Sequence, residues 1–121
     1  KTDDAVAFDW MEENLPDDAH LLIAGNTLNV FDIQNPAELR GADGGVWIAP
    51  LTGRRVSMEH LGLDFSVEET LDSLCQRDIT HIYIGGAPER FNLAGLQSRP
   101  EWYVQQLTLP GAQVFKIRGC P

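Results

Sequence analysis

The chain has 121 residues, 43% of them hydrophobic and 22% charged, and a formal net charge of -9 at pH 7. This length and composition fit one globular domain with a single core, and no apolar run reaches the roughly 20 residues that a membrane-spanning helix needs. Basic residues are scattered except at Arg54 and Arg55, so the sequence offers no stripe of positive charge for nucleic acid.

The first predicted unit is an amphipathic helix followed by a buried strand. Thr2 suits the N-cap position, with Asp3 and Asp4 in the positive first turn. A short apolar run at 21–24 is stopped by Gly25 and is typical of a strand covered on both faces. The helix is predicted to end at Pro16 and to pack through residues at helical spacing: Ala7, Trp10, Met11 and Leu15.

The segment from 26 to 58 carries weaker signals. We predict a loop with a short helix over 26–42 and a strand over 46–48, which Pro50 closes. The residues 54–58 have the mixed character of a further short strand.

The strongest signal is a helix that turns directly into a strand, over residues 66–86. Ser66 and Glu69 have the spacing of a capping box and predict where the helix begins. Apolar residues recur along one helical face, and a β-branched and aromatic run over 79–84 follows. Because the alternating residues of this run are bulky on both faces, we expect an interior strand with a layer above and a layer below.

The last predicted unit is an antiparallel hairpin. A loose helix around 91–96 ends before Pro100, and two strand-like runs then flank Pro110 and Gly111. Residues 1–121 are therefore predicted to form a single α/β domain, with a small mixed sheet, a mostly parallel core, flanking helices and a C-terminal antiparallel hairpin. The residues expected in adjacent buried strands are Leu22, Ile23, Ile82 and Ile84.

The sequence predicts no catalytic residue, no metal site and no cofactor. His20, His60 and His81 are isolated and lack the spacing of metal ligands, so we interpret them as surface or hydrogen-bonded structural histidines. The glycine pairs at 44–45 and 85–86 do not lie in a phosphate-binding motif. Each serine lacks a base nearby in the sequence.

Arg54 and Arg55 are the predicted ligand contacts, with Asn26 as a weaker candidate. Both arginines follow a predicted strand end, where α/β folds often bind ligands, and Asn26 has the same position after the first strand. We expect Arg54, next to Gly53, to be the more exposed of the two. The structural alternatives are a salt bridge for the arginines and a loop-forming role for Asn26.

The two cysteines leave their pairing open. Cys75 lies on the apolar face of the central helix, where a free thiol packs well, and Cys120 lies near the end of the chain. An oxidising compartment would favour a disulfide between them. The chain begins with Lys1 and shows no signal peptide, so we expect a piece of a longer protein.

The order of several segments resembles the soluble C-terminal domains of polytopic bacterial membrane proteins of the GT-C glycosyltransferase type, which depend on dolichyl-phosphate-mannose or polyprenyl-phosphate sugars. The segments are WMEENLPDDA at 10–19, LTGRRV at 51–56, DITHIYIG at 78–85 and QVFKIR at 113–118. In that family the acidic catalytic residues lie in loops between membrane helices, so no catalytic residue carries over. The resemblance implies a small α/β domain on the extracytoplasmic side, joined by its first helix to the last membrane span.

We therefore expect a non-catalytic accessory domain of a membrane glycosyltransferase-like protein. Its expected partners are the membrane-embedded part of the same polypeptide and, through the arginines, the lipid-phosphate sugar donor. The alternatives are an extracytoplasmic ligand-binding or sensory module, a small enzyme in its own right, and an interaction domain.

Overall fold

The computed structural model describes residues 2–25, 52–85 and 90–121. Within these ranges the helices are α1 (Asp3–Asn14), α2 (Glu68–Gln76) and α3 (Leu93–Gln97). The strands are β1 (His20–Gly25), β2 (Arg55–His60), β3 (His81–Ile84), β4 (Tyr103–Leu109) and β5 (Ala112–Ile117). The predictions over 26–42 and 46–48, and the candidate Asn26, lie outside the described residues.

The described strands form one mixed sheet in the order β2-β1-β3-β5-β4. β1 is parallel to β2 and to β3, whereas β5 pairs antiparallel with β3 and with β4. The connection from β2 to β3 passes through α2 and crosses over β1, as expected of parallel strands in an α/β sheet. The predicted fold class is confirmed, including the antiparallel hairpin at the C-terminal end.

Helices cover both faces of the sheet, because the central strands are apolar on both sides. Leu22 and Ile82 are register partners and belong to the core under α2 and α3. Ile23 and Tyr83 belong to the second core, under α1. The predicted positions Leu22, Ile23, Ile82 and Ile84 are all buried, at 0–1% exposure.

α1 begins as predicted. The Thr2 hydroxyl accepts a hydrogen bond from the Ala5 amide at 3.1 Å, and Asp3 and Asp4 occupy the first turn. The predicted apolar face is buried at Ala7, Met11 and Leu15, while Trp10 is only half-buried. Phe8, which was not on the predicted face, is buried and packs on Tyr83, with ring centroids 5.9 Å apart.

The start of α2 differs from the predicted capping box. The N-cap position is Val67, which makes no side-chain cap bond, and the helix begins at Glu68. Ser66 instead turns back, because its amide and its hydroxyl both donate to Asp64 Oδ1, at 2.9 and 2.5 Å. A carboxylate two residues earlier therefore competes successfully for the serine.

The hairpin of β4 and β5 closes at Pro110 and Gly111. A register irregularity between Gln105 and Leu107 interrupts the pairing, as is common at a sheet edge. Among the described residues, no helix combines the length and apolar character that crossing a membrane requires.

Candidate functional site

Arg54 is buried, and its guanidinium forms hydrogen bonds with carbonyls at the C-terminal end of α1. The side chain donates to Leu15 O at 2.7 Å, to Pro16 O at 3.2 Å and to Glu12 O at 3.3 Å. A further bond to Thr52 O measures 2.7 Å. The last carbonyls of a helix lack partners within it and carry partial negative charge, so this arginine caps α1 from outside the helix.

The expectation that Arg54 is the more exposed arginine was therefore wrong. It is 7% exposed, whereas Arg55 is exposed at the start of β2. Gly53 adopts a φ of +74° just before Arg54, a conformation that suits glycine in a turn. The pair does not present two cations to one ligand.

Arg55 also lies at the opposite end of the strands from the expected one. It is the register partner of His20, so both residues stand at the amino ends of parallel strands. Ligand crevices of α/β sheets form at the carboxyl ends. The described structure consequently places neither arginine at the usual crevice.

An open groove of about 460 Å³ borders Arg55 at this end of the sheet. It has mixed charge, since Arg55, Asp18 and Asp78 all line it. Other lining residues are Cys75, Ile79, Thr80, Ile117, Cys120 and Pro121. This groove can take a small polar ligand with charges of both signs more readily than a simple anion.

His20 and Ser57 are brought together by the register of β1 and β2. His20 Nε2 lies 2.6 Å from Ser57 Oγ, and His20 is 8% exposed. Burial, with the positive charges of Arg55 and Arg77, lowers the pKa of His20, although a hydrogen bond with the Asp78 backbone and the charge of Asp78 oppose this. A mostly neutral imidazole hydrogen-bonded to a hydroxyl is the geometry of a base beside a nucleophile.

The His20–Ser57 pair lacks the third member of a catalytic triad in the described structure. Among the described residues, no carboxylate is hydrogen-bonded to His20 Nδ1, which an acid would have to orient. The His20 backbone is fixed by Thr80, whose hydroxyl accepts from the His20 amide at 2.9 Å. These contacts favour a structural role, joining three neighbouring strands.

His81 is the second buried histidine and is held neutral. Its Nδ1 lies 2.7 Å from the Thr80 hydroxyl. Burial, and then the charge of the nearby Lys116, lower the pKa of His81 to about 4. A hydrogen bond with Gln106 acts in the opposite direction and raises this pKa. His60, by contrast, is exposed and accepts from the Gly62 amide at 3.0 Å. The three histidines are thus hydrogen-bonded or exposed, as predicted, and their structural role stays a prediction.

A smaller cleft of about 170 Å³ lies between the edge of β2 and α2. Arg77 Nη1 and Glu59 Oε2 are 2.9 Å apart along its wall, and Ser73 and Thr70 add hydroxyls. Both charged side chains are about one-third exposed, so this ion pair contributes little to stability. In the described ranges, no group of three or more His, Cys, Asp or Glu residues could hold a metal ion.

Cys75 and Cys120 form a disulfide, with their Cα atoms 5.6 Å apart. The bond ties the segment after β5 to the end of α2. Gly119 allows this close approach, because a Cβ there would lie 2.9 Å from Trp102 and 3.0 Å from Leu71. The sequence left the pairing of the two cysteines open, and the structure shows that they are bonded to each other.

Sequence reasoning missed the cap by Arg54 and the His20–Ser57 pair. The Arg54 contacts join residues 38 to 42 positions apart, and the histidine contact depends on strand register. Comparisons of the chain with protein-family models, with curated proteins and with solved structures found no match.

Proposed function

We propose that this chain is a non-catalytic accessory domain, on the extracytoplasmic side of the membrane, of an integral membrane glycosyltransferase-like protein that uses a lipid-phosphate sugar donor. The proposal begins from the resemblance of its segments to the C-terminal domains of such proteins. In the structure, the observation that carries it is the disulfide between Cys75 and Cys120.

The disulfide supports the extracytoplasmic side. Cys120 is exposed, so the bond is open to thiols in solution. Reducing compartments keep accessible thiols unpaired, whereas the outer side of the membrane lets such bonds persist. The disulfide therefore fits a domain that folds outside the cytoplasm.

The non-catalytic role is supported by how the buried polar groups are used. Arg54 donates hydrogen bonds to helix carbonyls. The Tyr83 hydroxyl donates to Asp4, and the Tyr103 hydroxyl donates to Phe65 O at 2.9 Å. Burial raises the pKa of Tyr103 to about 12, which keeps that hydroxyl protonated. Each group has an internal task that an active-site role would disturb.

The parent gene offers the first test. The reading frame upstream of Lys1 should encode several segments of roughly 20 apolar residues, and a parent without them would refute the proposal. If they are present, transfer of labelled sugar from polyprenyl-phosphate carriers should persist, at reduced rate, in a parent that lacks residues 1–121. Loss of transfer in a parent that is correctly inserted and abundant would show that the domain carries part of the chemistry.

The groove beside Arg55 favours a second candidate, an extracytoplasmic ligand-binding module. Its probe is phosphoethanolamine, whose phosphate suits Arg55 and whose ammonium suits Asp18 and Asp78, so it would raise the melting temperature of the wild-type domain. The Arg55→Ala variant should lose this shift while keeping the melting temperature of the unliganded domain. An equal shift in both proteins would assign phosphoethanolamine binding elsewhere and remove this candidate.

A further inference from the structure

We infer that the domain faces the membrane-embedded part of its own polypeptide through the turn end, and that the arginine end points away from it. The turn end comprises Thr2, Asp3, Thr108, Pro110 and Gly111, beside the carboxyl ends of β1 and β3. The arginine end comprises Asp18, Arg54, Arg55, Asp78 and Thr80. This inference rests on the proposed function and adds the surface and the partner.

The start of α1 is fixed at the turn end by two side chains. Asp3 Oδ2 accepts from the Gly111 amide at 2.5 Å, in the turn between β4 and β5. Asp4 accepts the hydroxyl of Tyr83, which pairs with Val114 near the carboxyl end of β3. The first turn of α1 therefore cannot swing away from this end while these bonds hold.

The finish of α1 is fixed at the arginine end. Arg54, the residue before the amino end of β2, donates hydrogen bonds to the carbonyls of Glu12 and Leu15. α1 thus runs antiparallel to β1, β2 and β3. A helix rises about 1.5 Å per residue, so its 12 residues separate the two ends by about 18 Å.

A membrane span that precedes α1 must consequently join the domain at the turn end. The arginine end lies a full helix length farther from that junction. This reverses the orientation expected from the sequence, in which the arginines would reach the lipid-phosphate sugar donor.

The distribution of charge also favours the turn end as the side that faces the membrane-embedded part. The acids of the turn end, Asp3 and Asp4, accept internal hydrogen bonds, and the adjacent segment 107–111 carries no charge. At the arginine end, Asp17, Asp18 and Asp78 are exposed. Arg55 is exposed there as well, so this end carries charges of both signs. The centres of protein interfaces are poor in charged residues, so the turn end is the better one to place against the membrane-embedded part.

The test is site-specific photocross-linking in the full-length parent in its native membrane. Thr108 or Arg55, both exposed, is replaced by p-benzoylphenylalanine, and cross-linked peptides are mapped by mass spectrometry. We expect cross-links from position 108 to extracytoplasmic loops of the same polypeptide, at least tenfold more than from position 55. Formation of the Cys75–Cys120 disulfide, read by gel shift, verifies that each variant is folded.

Cross-links mainly from position 55, none from position 108, or links from position 108 to lipid alone would overturn the inference. Each of these results leaves the proposed function standing, because the parent still has membrane spans. A parent reading frame without such spans removes the proposed function itself.

Discussion

At the scale of single residues, Arg54 is the side chain on which the arrangement of α1 and β2 depends. Its guanidinium is 7% exposed and meets carbonyls of Glu12, Leu15 and Pro16. Asp17 lies 3.6 Å away but is fully exposed, so the carbonyls matter more than this ion pair. The last turn of α1 contains no basic residue of its own, and Arg54 supplies that charge.

Replacing Arg54 with Ala should lower the free energy of unfolding by about 2–4 kcal/mol, since a charged donor is lost and several buried carbonyls are left without partners. Urea denaturation of the isolated domain measures this. Arg55→Ala, one residue away and exposed, is the matched control and should change stability by less than about 0.5 kcal/mol. Equal effects of the two substitutions would contradict the structural role given to Arg54.

Stability should depend on pH through His81. Its pKa is 6.5 in the unfolded chain and about 4 in the folded one, so between these values only the unfolded state binds the proton. The stabilisation from neutral His81 is therefore complete above about pH 6.5 and is lost as the pH falls towards 4, by about 3 kcal/mol in total. His20, whose pKa is also lowered, acts in the same direction.

Chemical denaturation at several pH values from 4 to 7 measures this loss. His81→Gln keeps a polar side chain of similar size without the titration, so its stability should fall less steeply over the same range. A slope as steep as that of the wild type would assign the pH dependence to other groups.

At the scale of elements, much of the fold follows from local sequence. The apolar runs at 21–24 and 79–84 predicted β1 and β3 because both of their faces are buried, and Pro110 with Gly111 predicted the turn of the hairpin. Thr2 predicted the start of α1 because its cap bond is local. Ser66 misled because Asp64, also local, offered a competing acceptor.

What the sequence could not predict depends on contacts between distant elements. The role of Arg54 arises only when α1 is placed beside β2, and the His20–Ser57 contact only when the strands are in register. The position of Arg55 is a different case, because the short strand predicted over 54–58 already places it at an amino end, and the ligand prediction relied on the preceding strand end instead.

β1 and β3 form the centre of the sheet, and Ile82 tests their packing. Ile82→Ala should reduce the free energy of unfolding by about 2–5 kcal/mol, through lost transfer energy and the cavity that remains. Val6→Ala, at an α1 position that is 36% exposed, should have an effect within about 0.5 kcal/mol. A similarly small effect at Ile82 would show that the core is not packed as described.

The disulfide is the link between α2 and the segment after β5, across 45 residues of sequence. Replacing Cys75 and Cys120 together by Ser should cost about 2–4 kcal/mol, because the unfolded chain regains the freedom of an open loop. Thermal melting of this variant should match that of the wild type in dithiothreitol. If neither the double substitution nor dithiothreitol lowered the melting temperature, the bond would not constrain the folding equilibrium.

At the scale of the whole molecule, the domain has two unlike ends. α1 brings the start of the chain to the turn end, and the exposed acids and the groove beside Arg55 lie at the other. In a parent of the proposed kind, this polarity would leave the groove open to ligands on the side away from the membrane. The domain would then contribute through its surfaces, and sugar transfer would remain with the membrane-embedded part.

The most direct test of the extracytoplasmic accessory role is the thiol state of the domain in living cells. Cells that express the full-length parent are quenched with acid, free thiols are blocked, and disulfides are then reduced and labelled with a maleimide of high mass. We predict that Cys75 and Cys120 are both labelled after reduction, whereas Cys120 in the Cys75→Ser variant is blocked beforehand. If both cysteines of the wild-type protein were free thiols in the cell, the domain would not lie on the oxidising side, and the account would be contradicted.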